Sequence, residues 1–519
     1  MKNLKQYDVT IIGNGAIASA LALRFTEEHK DMRVAIVGPA ARPGCASLAA
    51  GAMLNVFAEL EAGALVTPTA RLKFDAAVQA ATLWDKHLER LNARLDRVPP
   101  VRINQGTHVV ANAVTDGLDD ENFGAIIGYL KEYKQAFREI DPREIKGIKP
   151  TPQGRPLRAI YLENEGTVDS KHLHRAYDEA FSRTPGITVI DAEAESIDPS
   201  GKTKIVKTKA SDSVESSHVI IAAGTRTQDF VNQLGLQAKI PRLVLGVGVA
   251  LILKSQTVVP EKVFRTPNRG LACGLYVVPY PDNYCYVGAT NYICPWEVPL
   301  PRAQAAHYLL HAAMEQVNSD FDKAEIHKTI VGYRPTTLDT YPLFGQTSAE
   351  GVWIASGTKR DGFHLSPKIA DEFLASIASG AQPFSGNFRP ERTLILETRR
   401  EAAIERAVAH IISTGYQQGF RMFHSNWDPL IEEAIKGKVI DAYTRSGLVD
   451  HDFGIPAELL DIYRDGHAAA NIETLLAAAA TMSTAAKDGL AREDARRPYE
   501  LGSAPLGAER APHAGNVDQ

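Results

Sequence analysis

The sequence has no uninterrupted apolar run long enough to cross a membrane. A membrane-spanning helix needs about 18 consecutive apolar residues, and charged or polar residues interrupt every apolar stretch before that length. The chain begins with MKNLKQYDVT, which leads directly into a strand-like segment and has none of the regions of a secretory signal. We therefore expect no membrane span and a cytoplasmic location.

The sequence also has few cysteines and no excess of positive charge. The four cysteines, Cys45, Cys273, Cys285 and Cys294, form neither a CxxC pair nor a Cys/His pattern typical of zinc. We therefore expect no disulfide framework and no metal site. The net charge of -5 lacks the basic excess of proteins that bind nucleic acid. No Ser/His/Asp arrangement for nucleophilic catalysis stands out either.

The composition is that of an ordinary globular protein, with 44% hydrophobic and 23% charged residues. At about 150 residues per domain, 519 residues correspond to roughly three domains. The sequence therefore offers ample material for a large apolar core.

A glycine-rich turn near the start is the strongest local motif. It joins an apolar strand over residues 9–12 to an amphipathic helix that begins near residue 17. In this G-x-G-x-x-A pattern the first glycine permits a tight turn, the second lets the backbone approach a pyrophosphate, and the small third residue lets the helix pack closely. The free N–H groups of the helix N-terminus favour phosphate. The predicted dinucleotide contacts of this turn are Gly13, Gly15, Ala16, Ile17 and Ala18.

The second strand, residues 33–37, departs from this pattern at its end. A dinucleotide-binding fingerprint normally has an acidic residue here that binds the ribose hydroxyls, but the sequence has Gly38. Three alternatives follow. The ribose is held by backbone groups, it is held by Arg42, or the dinucleotide is bound less tightly.

Residues 44–54 are almost all small and contain too few β-branched side chains for a strand. Small residues permit close approach of the backbone to a flat ligand. A tightly packed helix start is the alternative interpretation.

Periodicity predicts the remaining elements. Helices are expected at 69–97, 122–138 and 168–181, a strand at 187–190, a hairpin arm at 202–219, a buried strand at 218–225, and an antiparallel sheet from 243–253 and 274–290. A linker at 381–390 is expected to precede helices at 394–413, 429–446 and 456–487 and a disordered tail at 501–519.

Several segments, in matching order and spacing, resemble the FAD-dependent D-amino acid oxidase and glycine oxidase family. They cover about residues 7–380 and are AS..AGAML at 46–54, AAG at 222–224, GLYVVP at 274–279, VGAT at 287–290, GYRP at 332–335, VWIASG at 352–357 and RDGFHLSP at 360–367. The resemblance implies FAD as cofactor and hydride transfer from the substrate Cα to flavin N5. It also implies non-covalent binding. Some covalent relatives attach the flavin through a cysteine near the Arg-Pro segment, and residues 334–341 contain no cysteine; others use a histidine in the small-residue loop, and residues 44–54 contain no histidine.

The resemblance also implies site residues. Arg334 would hold the substrate carboxylate, a task that suits the fork of a guanidinium. Tyr276 would be a second contact for the carboxylate or the amine, and Arg360 would line the flavin pocket. His364 stands where glycine oxidase is usually apolar, and it would contact substrate or flavin. The alternatives are a surface pair of Arg334 with Asp339, a core tyrosine, a structural turn arginine and a packed histidine. The predicted FAD contacts beyond the first turn are Arg42, Ala46, Ser47, Ala50, Gly51, Met53, Ala194, Ala223, Gly224, Gly357, Arg360, Asp361, Gly362, Phe363, His364 and Leu365.

A helix start is predicted at Ser366, a good N-cap, with Pro367 in the first helical position. The resemblance directs this N-terminus at the pyrimidine edge of the flavin. Its dipole would favour the negative charge that accumulates there on reduction.

Together these features predict an α/β Rossmann-type FAD-binding domain, an α+β substrate domain with an antiparallel sheet, and an all-α C-terminal extension. The function expected is oxidation of a small amino acid or N-substituted glycine with dioxygen as acceptor. The alternatives are an amino- or 2-hydroxy-acid dehydrogenase that uses a quinone or carrier protein, and a flavin-binding interaction protein without turnover. The C-terminal helices are expected to pack on the enzyme or to form a homo-oligomer, with a lid as a further alternative. The predicted segments are 1–75, 150–240 and 325–380 for FAD, 76–149 and 241–324 for substrate, 391–500 for the extension and 501–519 for the tail.

Overall fold

Two mixed β-sheets and the helices around them organise the chain. The computed structural model describes residues 5–482 except residue 115, residues 269–273 and residues 418–427. The strands are β1 (Lys5–Ile12), β2 (Val34–Val37), β3 (Asn104–Asn112), β4 (Arg138–Ile140), β5 (Pro156–Thr167), β6 (Ile187–Ile190), β7 (Ala194–Asp198), β8 (Lys204–Thr208), β9 (Ser213–Ile221), β10 (Leu243–Lys254), β11 (Val263–Arg265), β12 (Tyr276–Pro279), β13 (Tyr284–Gly288), β14 (Tyr292–Cys294), β15 (Glu325–Thr337), β16 (Leu343–Gln346) and β17 (Val352–Ser356). The helices are α1 (Ala16–Glu28), α2 (Ala46–Ala49), α3 (Pro68–Ala81), α4 (Trp84–Asn92), α5 (Gly117–Glu132), α6 (Ser170–Ser182), α7 (Thr227–Gln233), α8 (Ala303–Gln316), α9 (Gly362–Ser379), α10 (Arg400–Gln417), α11 (Asp428–Arg445), α12 (Leu460–Arg464) and α13 (Ala469–Met482).

The first sheet has the strand order β16-β17-β9-β1-β2-β6, and the β7–β8 hairpin pairs with β9. Strands β17, β9, β1, β2 and β6 run parallel. Their inner members are apolar on both faces because α1 and α9 cover one side of the sheet and a second apolar cluster covers the other. The predicted Rossmann-type α/β domain is therefore confirmed.

The second sheet has the order β14-β10-β13-β12-β11-β3-β5-β4, with β15 paired to β10. All its described pairs are antiparallel except β11 with β3. Helix α8 packs on one face. The antiparallel sheet is thus confirmed, but β5 and β15 belong to it although they fall in the predicted FAD-binding segments 150–240 and 325–380.

Two predicted helices have different boundaries. The helix expected at 69–97 is interrupted at Thr82, whose hydroxyl donates to the carbonyl of Gln79 at 2.8 Å, so α3 and α4 are separate. The helix expected at 122–138 begins earlier, at Gly117, because the Asp116 carboxylate accepts from the N–H of Leu118 and caps it.

Helix α9 begins four residues before the predicted start at Ser366. Pro367 therefore lies inside the helix, where it has no N–H to donate to the carbonyl of Phe363. The Ser366 hydroxyl donates to that carbonyl instead, at 2.9 Å. Ser366 thus compensates for the proline within the helix and is not the N-cap.

The segment predicted as a linker, 381–390, packs against the first sheet. Phe384 stacks on Phe344 with ring centroids 4.9 Å apart, and Phe388 is buried. Aromatic side chains thus fix this segment, which a plain linker would leave exposed.

The extension predicted as helical is helical where the structure describes it. Helices α10 and α11 correspond to two of the predictions, and the third, 456–487, divides into α12 and α13. Residues 1–474 form one compact unit, so the extension up to Thr474 packs with the rest of the enzyme. Residues 475–519 form a second unit, described only over 475–482 at the end of α13. The predicted tail 501–519 lies outside the described residues, and the homo-oligomer stays a prediction.

No helix in the described part of the chain is both long enough and apolar enough to cross a membrane. The same residues contain no group of three or more His, Cys, Asp or Glu side chains that could hold a metal ion.

A buried ion pair joins the start of the extension to the enzyme. Both carboxylate oxygens of Asp339 accept from the guanidinium of Arg392, and one also accepts from the N–H of Ile395 at 2.9 Å. Asp339 is buried and the Arg392 side chain is 6% exposed. Arg392→Ala would therefore leave a buried carboxylate without its cation.

We expect Arg392→Ala to lower the free energy of unfolding by about 3–5 kcal/mol, measured by urea denaturation. The control is Arg399→Ala, because the pair of Arg399 with Asp452 is largely exposed. That change should lower it by no more than about 1 kcal/mol. Equal losses in the two variants would contradict the role given to the buried pair.

Candidate active site

A long cleft runs from the carboxyl ends of the first sheet to the second sheet. It encloses about 1760 Å³ of space, part of it open to solvent. Its walls include the residues that follow β1, β2 and β9, the end of β17, and side chains from β12, β13 and β15. The carboxyl edge of a parallel sheet is where α/β folds bind ligands.

The turn between β1 and α1 forms one end of the cleft. Gly13 has a φ of +114°, and a Cβ there would lie 2.3 Å from the carbonyl oxygen of Ala222 at the end of β9. The N–H of Ala16 donates to the hydroxyl of Ser47 at 3.0 Å. The turn is thus held against two neighbouring segments, with the N-terminus of α1 at the cleft.

The small-residue stretch 44–54 contains α2, a short helix rather than a strand. The alternative interpretation, a packed helix start, therefore describes its structure. Its residues also line the cleft, as the interpretation of close ligand approach expects. The helix start is therefore confirmed, and the close approach of a flat ligand stays a prediction that the place of α2 in the cleft wall permits.

Gly38 and Arg42 support the shape of the first turn. A Cβ at Gly38 would lie 2.9 Å from Asn14 Cγ, so the glycine makes room for that side chain. Arg42 Nε donates to the carbonyl of Asn14 at 2.9 Å, and its two terminal nitrogens bind the Asp178 carboxylate. Arg42 lines the cleft, but its guanidinium is already engaged by protein groups.

An acidic residue that the sequence analysis missed lies near this end. Glu193 follows β6 and lines the cleft beside Ala194. Hydrogen bonds from Lys209 and Arg226 lower the pKa of its carboxyl. Glu193 can therefore supply an ionised acceptor for ribose hydroxyls, and its position shortly after the predicted strand 187–190 was the available signal.

Arg334 lies on β15 at the other end of the cleft. Its Nη1 donates to the carbonyl of Thr290 at 3.1 Å and to Asn291 Oδ1 at 3.2 Å. A Cβ at Gly248, on the adjacent strand β10, would lie 2.5 Å from Nη1. The missing side chain of Gly248 is thus what lets the guanidinium lie flat on the sheet. The alternative pairing of Arg334 with Asp339 is wrong, because Asp339 binds Arg392.

Two stacked tyrosines form the wall beside Arg334. The rings of Tyr276 and Tyr286 are nearly parallel, with centroids 5.8 Å apart. A Cβ at Gly51 would lie 2.8 Å from the Tyr276 ring, and the hydroxyl of Tyr286 donates to the Ala49 carbonyl at 2.8 Å. Tyr276 is both a core side chain and part of the cleft wall. Tyr286 was missed, although it follows Tyr276 in the same predicted hairpin.

Arg360 lines the cleft, and it lies close to Glu61 in the loop after α2. Burial by itself would raise the pKa of Glu61, but the positive charges of His410, Arg406 and Arg360 lower it. Arg406 and His410 belong to α10, so this cluster also connects the extension to the cleft.

Five predicted contacts do not line the cleft. His364 is 5% exposed and its Nε2 lies 2.8 Å from the Ala77 carbonyl, so the packed-histidine alternative describes its position outside the cleft wall. Burial lowers its pKa. Asp361 pairs with Lys73 at 2.7 Å and so holds α3 against the start of α9. The other three predicted contacts outside the cleft wall are Ala18, Gly357 and Leu365. Ala18 and Leu365 pack in the interior, and Gly357 forms a turn with a positive φ.

The other predicted residues come together along the cleft. They are Gly13, Gly15, Ala16, Ile17, Arg42, Ala46, Ser47, Ala50, Gly51, Met53, Ala194, Ala223, Gly224, Tyr276, Arg334, Arg360, Gly362 and Phe363.

These residues fit FAD. The Gly13 turn and the N-terminus of α1 offer a pyrophosphate site. The small side chains of 44–54 line the cleft, where they leave the backbone open to a flat ring system. Close packing holds this stretch in place, since a Cβ at Gly332 would collide with Ala49 at 2.3 Å and one at Gly51 with Tyr276 at 2.8 Å. A guanidinium at the far end provides a site for an anionic substrate.

Several known proteins are similar to this chain. The chain is 24% identical over 376 residues to glycine oxidase of Bacillus subtilis (strain 168), which covers 70% of this chain and 90% of that protein. It is 22% identical over 232 residues to L-2-hydroxyglutarate dehydrogenase of Escherichia coli (strain K12), covering 44% and 50%. The crystal structure of iminodiacetate oxidase from Chelativorans sp. BNC1 superposes with a TM-score of 0.60 at 20% identity, covering 74% and 98%.

The family profile named DAO, FAD dependent oxidoreductase, matches residues 8–375. The match spans well over half of the sequence and ends within α9, before the C-terminal extension. The chain therefore belongs to the DAO family and is an FAD-dependent oxidoreductase.

Proposed function

We propose that this enzyme oxidises the C–N bond of a small amino acid or N-substituted glycine, with dioxygen as acceptor. The products would be an imine, which water hydrolyses to the keto acid, and hydrogen peroxide. FAD, when bound, accepts the hydride that leaves the substrate Cα.

The position of Arg334 carries this proposal. Its guanidinium lies in the cleft wall, and its protein hydrogen bonds within the described residues all run through Nη1. A guanidinium in this setting can bind a carboxylate through two charge-assisted hydrogen bonds, which fix orientation as well as position. The substrate class is therefore an acid with its reacting carbon next to the carboxylate.

The Tyr276 and Tyr286 rings would limit the space around the bound acid. Because an amine that enters neutral can lose a hydride without a general base, positioning by these groups would supply much of the rate. The names of two relatives, a glycine oxidase and an iminodiacetate oxidase, describe substrates of this chemical type.

A second candidate is dehydrogenation of a 2-hydroxy acid, with a quinone or a carrier protein as acceptor. The similarity to an L-2-hydroxyglutarate dehydrogenase favours it. Arg334 would bind the carboxylate of either substrate, so Arg334 alone does not separate the two candidates.

The test is an anaerobic titration of the purified yellow protein with amino acids, N-alkyl glycines and 2-hydroxy acids. Loss of the visible flavin absorbance with an amino or N-alkyl acid, and peroxide release in air, would support the proposal. Bleaching by 2-hydroxy acids alone would favour the second candidate. Bleaching by an amino acid without peroxide release would retain the substrate class and exclude dioxygen as the acceptor.

The Gly248→Ala variant tests whether Gly248 makes the space in which the Arg334 guanidinium lies. The added Cβ would displace Arg334, and a misplacement of about 1 Å can lower the rate roughly 100-fold. We expect kcat/KM for the amino acid to fall by about that factor while the FAD content is unchanged. Gly128→Ala is the control, because a Cβ there meets nothing within 4 Å. A wild-type kcat/KM in Gly248→Ala would contradict the assigned position.

A further inference from the structure

The C-terminal extension reaches the substrate end of the cleft through Glu458. This residue lies in a short turn, Ala457–Leu459, just before α12. One carboxylate oxygen accepts from Asn291 Nδ2 at 3.0 Å, and the other pairs with the ammonium of Lys359. The side chains of Glu458 and Lys359 are only 12% and 17% exposed.

Asn291 connects Glu458 to Arg334. Its Oδ1 accepts from Arg334 Nη1 at 3.2 Å while its Nδ2 donates to Glu458. A side-chain amide has a donor end and an acceptor end. Because the carboxylate of Glu458 can only accept, it holds the donor end of Asn291 and directs the oxygen towards the guanidinium.

Lys359 provides a second connection between Glu458 and the strand that carries Arg334. It lies in the turn between β17 and α9, has a φ of +53°, and its N–H donates to the carbonyl of Pro335 at 2.8 Å. Pro335 directly follows Arg334 on β15. Glu458 therefore contacts both Asn291, which accepts from the guanidinium, and the turn that bonds to the backbone next to Arg334.

The turn that carries Glu458 is anchored independently of this carboxylate. Leu459 is fully buried, and the Tyr463 hydroxyl donates to the Leu338 carbonyl at 3.0 Å. Removal of the Glu458 carboxylate should therefore leave the extension in place.

We propose that Glu458 is a positioning residue for substrate binding. It orients Asn291 and, through that amide, Arg334. The inference rests on the proposed function, because it takes Arg334 to bind the substrate carboxylate. It gives part of the extension, which lies beyond the DAO match at 8–375, a defined task in the site.

The test is a titration of the FAD-bound full chain with acetate, a carboxylate that has no C–N bond to oxidise. Binding is monitored by changes in the visible absorbance of the flavin. Glu458→Ala should raise the Kd of acetate about five- to tenfold, the effect of losing one ordinary supporting hydrogen bond. Glu458→Gln should recover most of the affinity, since its amide oxygen can still accept from Asn291. The control is Asp461→Ala, which removes a carboxylate that is 77% exposed, and its Kd should be unchanged.

A double-mutant comparison shows whether the effect passes through Asn291. In the Asn291→Ala background, Glu458→Ala should change the Kd less than twofold, because coupled residues are not additive. A wild-type Kd in Glu458→Ala, or an undiminished effect in the Asn291→Ala background, would overturn the proposal. If Glu458→Ala fails to retain FAD, Asn291→Ala decides alone, because a wild-type Kd there would overturn the link.

The Arg334→Ala variant separates failure of this inference from failure of the proposed function. If acetate binds wild type and Arg334→Ala equally, the carboxylate site is elsewhere and both proposals fall. If only Arg334→Ala loses acetate, the proposed function stands and the role of Glu458 is refuted.

Discussion

Replacing Arg334 with alanine should raise the Michaelis constant for an amino-acid substrate by two to three orders of magnitude and leave FAD bound. Loss of one partner of a shielded charge pair costs about 2–5 kcal/mol, and every 1.4 kcal/mol is a factor of roughly ten. FAD should remain because Arg334 lies on β15 of the second sheet, whereas the Gly13 turn follows β1 of the first sheet. Steady-state kinetics and the flavin-to-protein absorbance ratio measure the two effects.

Two further variants sharpen this experiment. Arg334→Lys should recover only part of the loss, because an ammonium cannot form the paired hydrogen bonds of a guanidinium. Arg158→Ala is the matched control, since its guanidinium lies over the Phe123 ring at 4.7 Å and outside the cleft wall. Unchanged kinetics in Arg334→Ala would refute its assignment as the carboxylate contact.

Local sequence patterns were sufficient for much of the fold and for the FAD end of the cleft. The strand at 9–12, the glycine turn and the helix that follows are adjacent in sequence, so their periodicities and small residues determine the local structure. Tyr276 and Arg334 were identified differently, through the resemblance of the GLYVVP and GYRP segments to the family. Their side chains indeed meet in one cleft.

Residues near a boundary were harder to predict. Ser366 and Pro367 form a good helix start by local rules, but α9 begins at Gly362 because the Ser366 hydroxyl compensates for the missing proline N–H. His364 lies within a motif that resembles a flavin-binding turn, but its ring nitrogen hydrogen-bonds to the carbonyl of Ala77 on α3. Each outcome depends on a neighbouring group that the local pattern does not specify.

Contacts between distant parts of the chain were not accessible from sequence. Glu458 meets Lys359 and Asn291, which precede it by about 100 and 167 residues, and Glu61 meets Arg406 across 345 residues. The sequence around one carboxylate in an amphipathic extension does not indicate which distant residue that carboxylate contacts. The extension was therefore predicted as helical, but its part in the site emerged only from the structure.

Replacing Gly13 with alanine should abolish most FAD binding. The φ of +114° is unfavourable for any residue with a Cβ, and that atom would lie 2.3 Å from the Ala222 carbonyl oxygen. Strain of this kind costs about 1–2 kcal/mol, and overpacking adds about 1–3 kcal/mol. The turn must move to relieve both, which displaces the N–H groups that face the pyrophosphate. We expect the flavin-to-protein absorbance ratio to fall at least tenfold.

The control for this variant is Gly235→Ala. Gly235 also has a positive φ, +70°, but a Cβ there meets nothing within 4 Å and the residue lies outside the cleft wall. It should therefore lose about 1 kcal/mol of stability and keep its full flavin content. Circular dichroism of both variants separates loss of cofactor from loss of fold. A Gly13→Ala protein that is folded and has its full flavin content would show that FAD binds normally when this turn is displaced. The turn would then not be the site that holds the pyrophosphate.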